Sequence, residues 1–242
     1  MYSIEDNKLI LNGELAFIND KLYVSTNKKS ISEDLSNADL IDTNKINKIV
    51  IKDTCKSYII TYDNHIEEIN SNNISEYSYN DLLKSNIKRI TTLCLYPNKN
   101  VINYINKECK SYCEIGVRYG ATTSYVLEYI NKYKLDIRLH LFEINKIYYD
   151  FLVKKYKNIN NCNIHFGDAR ETLKLYNDEK FDIVYFDACH LYNVDKQILD
   201  NLIKHLNDKC TIIFDDYQMN DVKRLVDEFE LKYKYKFNIV KT

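Results

Sequence analysis

From residue 111 onward short apolar runs alternate with helix-length amphipathic segments, and this rhythm leaves few folds open to the chain. Strands are predicted at 111–115, 137–143, 162–166, 181–187, 210–214 and 233–240. Helices are predicted between them at 121–134, 146–157, 170–176, 193–206 and 219–230. Each helix returns the chain so that the next strand runs in the same direction. The expectation is therefore an α/β fold, a doubly wound parallel sheet with helices on both faces. Ligands of such sheets bind beyond the carboxyl ends of the strands, so those ends are the places to look for chemistry.

Residues 1–96 follow a different rhythm and read as a small β-rich accessory region, with 97–242 as the α/β domain. Lys8 to Leu11, Asn12-Gly13 and Glu14 to Ile18 predict a hairpin, because Asn-Gly suits the type I′ turn. Asn19-Asp20 predicts a second turn into 21–24, and strands at 48–52, 57–62 and 65–69 continue an antiparallel meander. The polar stretch 25–45 reads as loop and 87–96 as a strand before Pro97. Residues 98–108 predict an amphipathic helix with Val101, Ile102 and Ile105 on one face. The region either shapes an acceptor pocket or forms a subunit contact in a homo-oligomer.

Lys and Arg number 34 against 35 Asp and Glu, a net charge of -1. That balance argues against nucleic acid as a partner, since phosphate neutralisation needs a basic excess. No run approaches the roughly 20 apolar residues of a membrane span. Glu5, Asp6 and Lys8 interrupt the N-terminal segment where a secretory leader would be apolar, which points to the cytoplasm. The seven cysteines form no paired CxxC pattern and read as small reduced core residues, not as a zinc site.

Only four glycines occur in 242 residues, and three of them, Gly116, Gly120 and Gly167, sit at predicted strand ends. Glycine is required where φ is positive or where something presses on the backbone. Gly116 and Gly120 lie between the strand carrying Glu114 and a helix opening near Thr122. A dinucleotide fingerprint would read GxGxxG before a pyrophosphate. Here Arg118 stands where that pattern has its middle glycine, and an acid precedes the first. A carboxylate repels pyrophosphate but suits the amino group of a methionine moiety. Glu143 ends the next strand, where a carboxylate can accept both ribose hydroxyls. Asp168 follows the third strand, placed to accept an adenine amino group, with Ala169 at the ring edge.

The sequence Glu-x-Gly-x-x-x-Gly-x-Thr at 114–122, the strand-ending Glu143 and Gly167-Asp168-Ala169 resemble the first three motifs of class I S-adenosylmethionine-dependent methyltransferases. The resemblance implies a Rossmann-like sheet and S-adenosylmethionine held by Glu114, Gly116, Gly120, Thr122, Glu143, Asp168, Ala169 and Asp187.

Two further strand ends are acidic. The run 181–187 ends in Asp187, with His190 three residues on, and 211–214 is followed by Asp215-Asp216. Neighbouring parallel strands would bring Asp187 and Asp215 or Asp216 to one point, where converging carboxylates need a positive partner. Oxygen donors in that number favour a hard ion such as Mg²⁺. The pattern is similar to a family of small-molecule and sugar O-methyltransferases that includes macrolide-sugar enzymes, over about residues 110–217. That similarity implies Asp187, Asp215 and Asp216 as metal ligands, His190 as the base, and a hydroxylated small molecule as acceptor. Tyr119, Tyr192 and Tyr217 are candidates for lining the acceptor pocket. Two features depart from the resemblance: Asn207-Asp208-Lys209 replaces the usual paired glycines before the fifth strand, and only one strand follows the last helix. The competing readings are a metal-independent methyltransferase acting on an amine, a lipid or a protein side chain, and a non-catalytic binding protein of the same fold.

Overall fold

The computed structural model describes residues 2–11, 14–18, 21–25, 38–51, 57–61, 66–69, 75–84, 87–91 and 98–242. The chain divides into two units, Met1–Tyr96 and Pro97–Thr242. Among the described residues no helix is long and apolar enough to cross a membrane.

Unit 1 contains β1 (Tyr2–Glu5), β2 (Lys8–Leu11), β3 (Glu14–Ile18), β4 (Lys21–Ser25), β5 (Ala38–Leu40), β6 (Lys48–Ile51), β7 (Ser57–Thr61), β8 (Ile66–Ile69), β9 (Ser75–Ser78), α1 (Tyr79–Lys84) and β10 (Ile87–Thr91). They form a four-stranded sheet, β1-β2-β6-β9, and a six-stranded sheet, β5-β4-β3-β10-β7-β8. Alternate residues of β2 and β4, Leu9 and Leu11 with Leu22 and Val24, enter a core shared with Leu15, Phe17 and Ile49.

Among the described residues, the strands on either side of Asn12-Gly13 pair with other strands and not with each other. Those two residues lie outside the described set, and β2 pairs with β1 and β6 while β3 pairs with β4 and β10. The I′-type reversal lies instead at Asp6 and Asn7, with φ of 49° and 59°, joining β1 to β2. Asx residues tolerate that left-handed geometry without glycine. The antiparallel pairing of β3 with β4 agrees with a reversal at 19–20, and that of β7 with β8 with one at 62–65, though both turns lie outside the described residues. The stretch read as loop over 25–45 contains β5 and a 3₁₀ turn at Thr43–Lys45 capped by Asp42.

Unit 2 begins with a 3₁₀ helix, Lys99–Tyr104, in place of the longer helix predicted over 98–108. Val101 and Ile105 are nonetheless buried as their spacing requires. Then follow β11 (Ser111–Ile115), α2 (Ala121–Tyr133), β12 (Arg138–Glu143), α3 (Lys146–Tyr156), β13 (Cys162–Phe166), α4 (Ala169–Leu175), β14 (Phe181–Phe186), α5 (Tyr192–Leu202), β15 (Leu206–Phe214), α6 (Asn220–Tyr233) and β16 (Asn238–Lys241). The six strands are ordered β13-β12-β11-β14-β15-β16 and every neighbouring pair is parallel. This is a Rossmann-like parallel sheet, and the order reverses between β11 and β14.

Side-chain alternation divides β11 between two cores. Cys113 and Ile115 pack with Leu173 of α4, Leu199 of α5 and Val226 of α6, while Tyr112 packs with Val126 of α2 and Leu152 of α3. Both faces are therefore covered, as near-continuous apolar strands require. Without a glycine pair at 207–209, β15 starts early at Leu206 and carries an irregularity in its register with β14, with Lys209 at φ 68°. Among the described residues, β16 is the last strand of this sheet and pairs in parallel with β15.

Phe181 is fully buried among Tyr176, His140 and His205, away from the strand ends that form the cavity described below. Phe181→Ala should lower unfolding free energy by about 3–5 kcal/mol in urea titrations, the usual cost of a large-to-small core change.

Candidate active site

A cavity of about 320 Å³ opens at the carboxyl ends of β11, β12, β13 and β14. Its walls include Gly116 and Arg118, then Glu143 and Ile144, then Gly167, Asp168, Ala169 and Arg170, and finally Asp187 to His190. The volume lies within the range of small-molecule sites, about 300–1,000 Å³.

The strand ends stay bonded past the last ladder residue, which fixes the walls. The Gly116 amide donates to the Phe142 carbonyl, Gly167 to Glu143, Asp187 to Ile115, and Asp215 to Phe186, each at 3.0 or 3.1 Å. Gly116 adopts φ +84°, and a Cβ there would stand 1.9 Å from the Asp187 carbonyl oxygen. Gly167 adopts φ +125°.

Glu143 is 4% exposed, and its carboxylate accepts the Arg118 amide on one oxygen and the Asn145 amide on the other, both at 2.7 Å. A carboxylate has about four acceptor positions, so two remain for ligand hydroxyls. Asp168 caps α4 by accepting the Arg170 amide at 2.8 Å, and the Arg170 guanidinium binds both of its oxygens. That guanidinium holds the Asp168 carboxyl below its ordinary value. Apolar walls from Ile115, Phe142, Ala169 and Ile198 complement these polar groups. A flat ring with a ribose fits this donor and acceptor set.

Three predicted cofactor residues lie elsewhere. Glu114 is 2% exposed and does not line the cavity; its carboxylate accepts the hydroxyls of Tyr112 at 2.8 Å and Thr123 at 2.6 Å. Burial raises its pKa to about 8 despite those bonds. Thr122 is buried and accepts the Asn98 amide. Gly120 caps α2 at φ +70°, where a Cβ would crowd the Tyr156 hydroxyl, and it does not line the cavity.

At the cavity edge, His190 Nε2 lies 3.0 Å from Asp187 Oδ1 and 3.5 Å from Asp216 Oδ2. Burial raises the Asp187 carboxyl against the opposing pull of His190. The bond to Asp187 raises the imidazole above its usual 6.5. His190 and Asp216 both have left-handed backbones, with φ of 62° and 54°. One donor atom from each of Asp187, His190 and Asp216 falls within a 4.8 Å cluster.

Asp215 is not part of that cluster. Its carboxylate accepts Tyr185 OH at 2.7 Å, Asn98 Nδ2 at 3.2 Å and Thr242 Oγ1 at 3.0 Å. Of the expected Mg²⁺ ligands Asp187, Asp215 and Asp216, Asp187 and Asp216 thus come together, with the imidazole of His190 as the third donor within reach. That mixture suits a divalent ion that tolerates nitrogen.

The three tyrosines expected at an acceptor pocket do not line the cavity; Tyr148 does. Tyr119 packs on Tyr148, Tyr192 bonds Glu228, and Tyr217 bonds Asp227 and Lys223. Arg170 was legible as the second residue of a helix capped by Asp168, and Ile144 as the residue after the acid at a strand end. Val194 and Ile198 carried no signal beyond a helix periodicity.

Residues 113–217 match a family model described as a methyltransferase domain. The matched segment lies wholly within unit 2 and runs from β11 to the residues just after β15. The match covers less than half of the chain. No curated protein gives a significant match. Among solved structures, the chain is similar to a candidate caffeoyl-CoA O-methyltransferase from Staphylococcus aureus at 19% identity and TM-score 0.44, covering 55% of this chain and 70% of that one. It is also similar to a candidate O-methyltransferase from Klebsiella pneumoniae, at 18% identity and TM-score 0.42, covering 50% of this chain and 61% of that one. A third is the methyltransferase PaMTH1 of Podospora anserina, solved with S-adenosylhomocysteine, at 19% identity and TM-score 0.40, covering 47% of this chain and 49% of that one. The chain thus spans less than two thirds of the Klebsiella protein and about half of the Podospora protein.

Gly116→Ala should abolish cofactor binding and destabilise unit 2, because the new methyl would collide with backbone and φ +84° strains any other residue. Thermal unfolding and calorimetric titration with S-adenosylmethionine check both effects.

Proposed function

We propose that this protein is an S-adenosylmethionine-dependent O-methyltransferase acting on a hydroxyl of a small molecule, with sugars as the first acceptor class to examine. The observation that carries the reading is the His190 and Asp187 pair at the edge of the cavity. An ionised Asp187 can only accept, so its bond to Nε2 holds the proton there in the neutral ring. Nδ1 is then the basic atom and is the one assigned to take the acceptor's hydroxyl proton. An alcohol needs that help before it attacks a methyl group, whereas an unprotonated amine needs little.

S-adenosylmethionine, when bound, supplies an electrophilic methyl on a sulfonium. Gly116, Gly167, Glu143, Asp168 and Ala169 would hold it, Glu143 through the ribose hydroxyls. The remaining task of the protein is alignment, since methyl transfer is an in-line displacement. Asp187 orients the imidazole and stabilises the imidazolium once it forms.

A second reading is favoured by the convergence of Asp187, His190 and Asp216. In it these three hold a divalent ion and His190 is a ligand, not the base. The two readings separate by experiment. Calorimetric titration with S-adenosylmethionine, with and without Mg²⁺ or Mn²⁺ and with Asp187→Ala as control, measures donor binding and any metal effect. Absence of donor binding would sink the methyltransferase reading. S-adenosylhomocysteine release should be detected with hydroxylated acceptors and not with the corresponding amines.

His190→Ala should cut turnover by about 10²–10⁴-fold, the usual contribution of a general base, while leaving donor affinity nearly intact. Because the base must be neutral and its pKa lies above 6.5, turnover in the wild type should fall as pH drops through that value. A rate insensitive to pH there, and abolished by a chelator, would favour the metal reading.

A further inference from the structure

Glu114 stands apart from the His190 and Asp187 pair, yet it is almost fully enclosed, at 2% exposure. It lies on β11 next to Ile115 and two residues before Gly116, both of which line the cavity. Its carboxylate accepts two hydroxyls, Tyr112 OH from its own strand and Thr123 OH from α2. The titratable groups facing it from the packed elements are Tyr112 and Cys113 on β11, Glu143 on β12, Cys162 on β13, and Tyr185 and Asp187 at β14. None of these supplies a positive charge.

We infer that Glu114 is a charge-reading residue of the cofactor site: its carboxyl loses a proton to solvent when a cationic donor occupies the cavity, and regains one when the neutral thioether product takes its place. The inference rests on the S-adenosylmethionine reading above. Two observations support it independently of each other. First, an enclosed carboxyl bonded only by hydroxyls can exist in either protonation state without breaking its hydrogen bonds, since each hydroxyl can turn to donate or accept. Second, Glu114 directly precedes Ile115 and Gly116 in the cavity wall, and the negative charges of Asp187 and Glu143, which also line the cavity, push its pKa up. Electrostatic coupling is reciprocal, so a cation placed among those walls acts on Glu114 with opposite sign.

The direction follows from linkage. With its pKa near 8, Glu114 is mostly protonated at neutral pH in the ligand-free protein. A nearby cation favours the carboxylate, so donor binding expels a proton and donor affinity rises with pH until the free group itself ionises at about 8. The neutral product gains nothing from ionisation. Discrimination between sulfonium and thioether would thus come from a residue that touches neither.

The test is calorimetric titration at pH 7 in phosphate and in Tris, whose ionisation enthalpies differ, with S-adenosylmethionine and with S-adenosylhomocysteine. The expected result is release of about 0.5–1 proton with S-adenosylmethionine and nearly none with S-adenosylhomocysteine. Glu114→Gln should still bind both ligands, but with weaker donor affinity, no matching loss for S-adenosylhomocysteine, and loss of that release; any proton still released would come from His190. Tyr112→Phe removes one hydroxyl bond, should shift the release window to higher pH, and carries the test if Glu114→Gln does not fold. Equal release with both ligands, undiminished release from Glu114→Gln, or an unshifted window in Tyr112→Phe would overturn the inference while leaving the methyltransferase reading intact. If neither ligand binds, the methyltransferase reading fails and the inference with it.

Discussion

The close approach of Gly116 to the backbone of Asp187 is the constraint on which the site depends. β11 and β14 are neighbours at the point where strand order reverses, and their ladder continues past the last strand residues through the bond from the Asp187 amide to the Ile115 carbonyl. A side chain at 116 would push the two strand ends apart, because its Cβ would lie 1.9 Å from the Asp187 carbonyl oxygen. The cavity walls carrying Gly116 and Asp187 are therefore one hydrogen-bonded structure. Moving the first displaces Asp187, and with it His190.

Charge is the second constraint. Glu143, Asp168 and Asp187 line the cavity, and Asp216 stands beside it. Several carboxylates in a partly desolvated space repel one another unless each has its own partner. Each is handled differently. Arg170 neutralises Asp168, backbone amides satisfy Glu143, and the imidazole of His190 lies within reach of both Asp187 and Asp216. Asp215 is drawn off altogether, held by Tyr185, Asn98 and Thr242. The site is left with a local excess of acid, which suits a cationic ligand.

What the sequence made legible was whatever depended on local order. The alternation of apolar runs and helices gave the parallel sheet, and strand ends located Glu143, Asp168, Asp187 and His190 on the same rim. Orientation was less legible. Glu114 and Gly116 are two residues apart, but the strand ends between them, so one faces the interior and the other the cavity. Asp215 and Asp216 are adjacent and differ in direction because Asp216 has a left-handed φ, while three donors distant in sequence hold Asp215. No pattern in a single chain displays such donors. In unit 1 the strong local preference of Asn12-Gly13 for a hairpin was overridden by the pairing of β2 with β1 and β6. Long-range strand pairing decided the topology there.

A chain with four glycines must make most of its sharp turns with other residues. Seven described non-glycine residues have positive φ, and three of them, Arg118, His190 and Asp216, border the candidate site. A left-handed backbone costs an ordinary residue roughly 1–2 kcal/mol. At His190 and Asp216 glycine would remove that cost and also the side chain, and with it the imidazole between two carboxylates. Strain at these positions is therefore tolerable only because the surrounding ladder and helices over-determine the loops. The glycines remain where only backbone can fit, and the strained residues stand where a functional side chain must leave a turn. That division of labour follows from composition and sterics together, and it explains why the loops richest in candidate chemistry are anchored on both sides by strand-end hydrogen bonds.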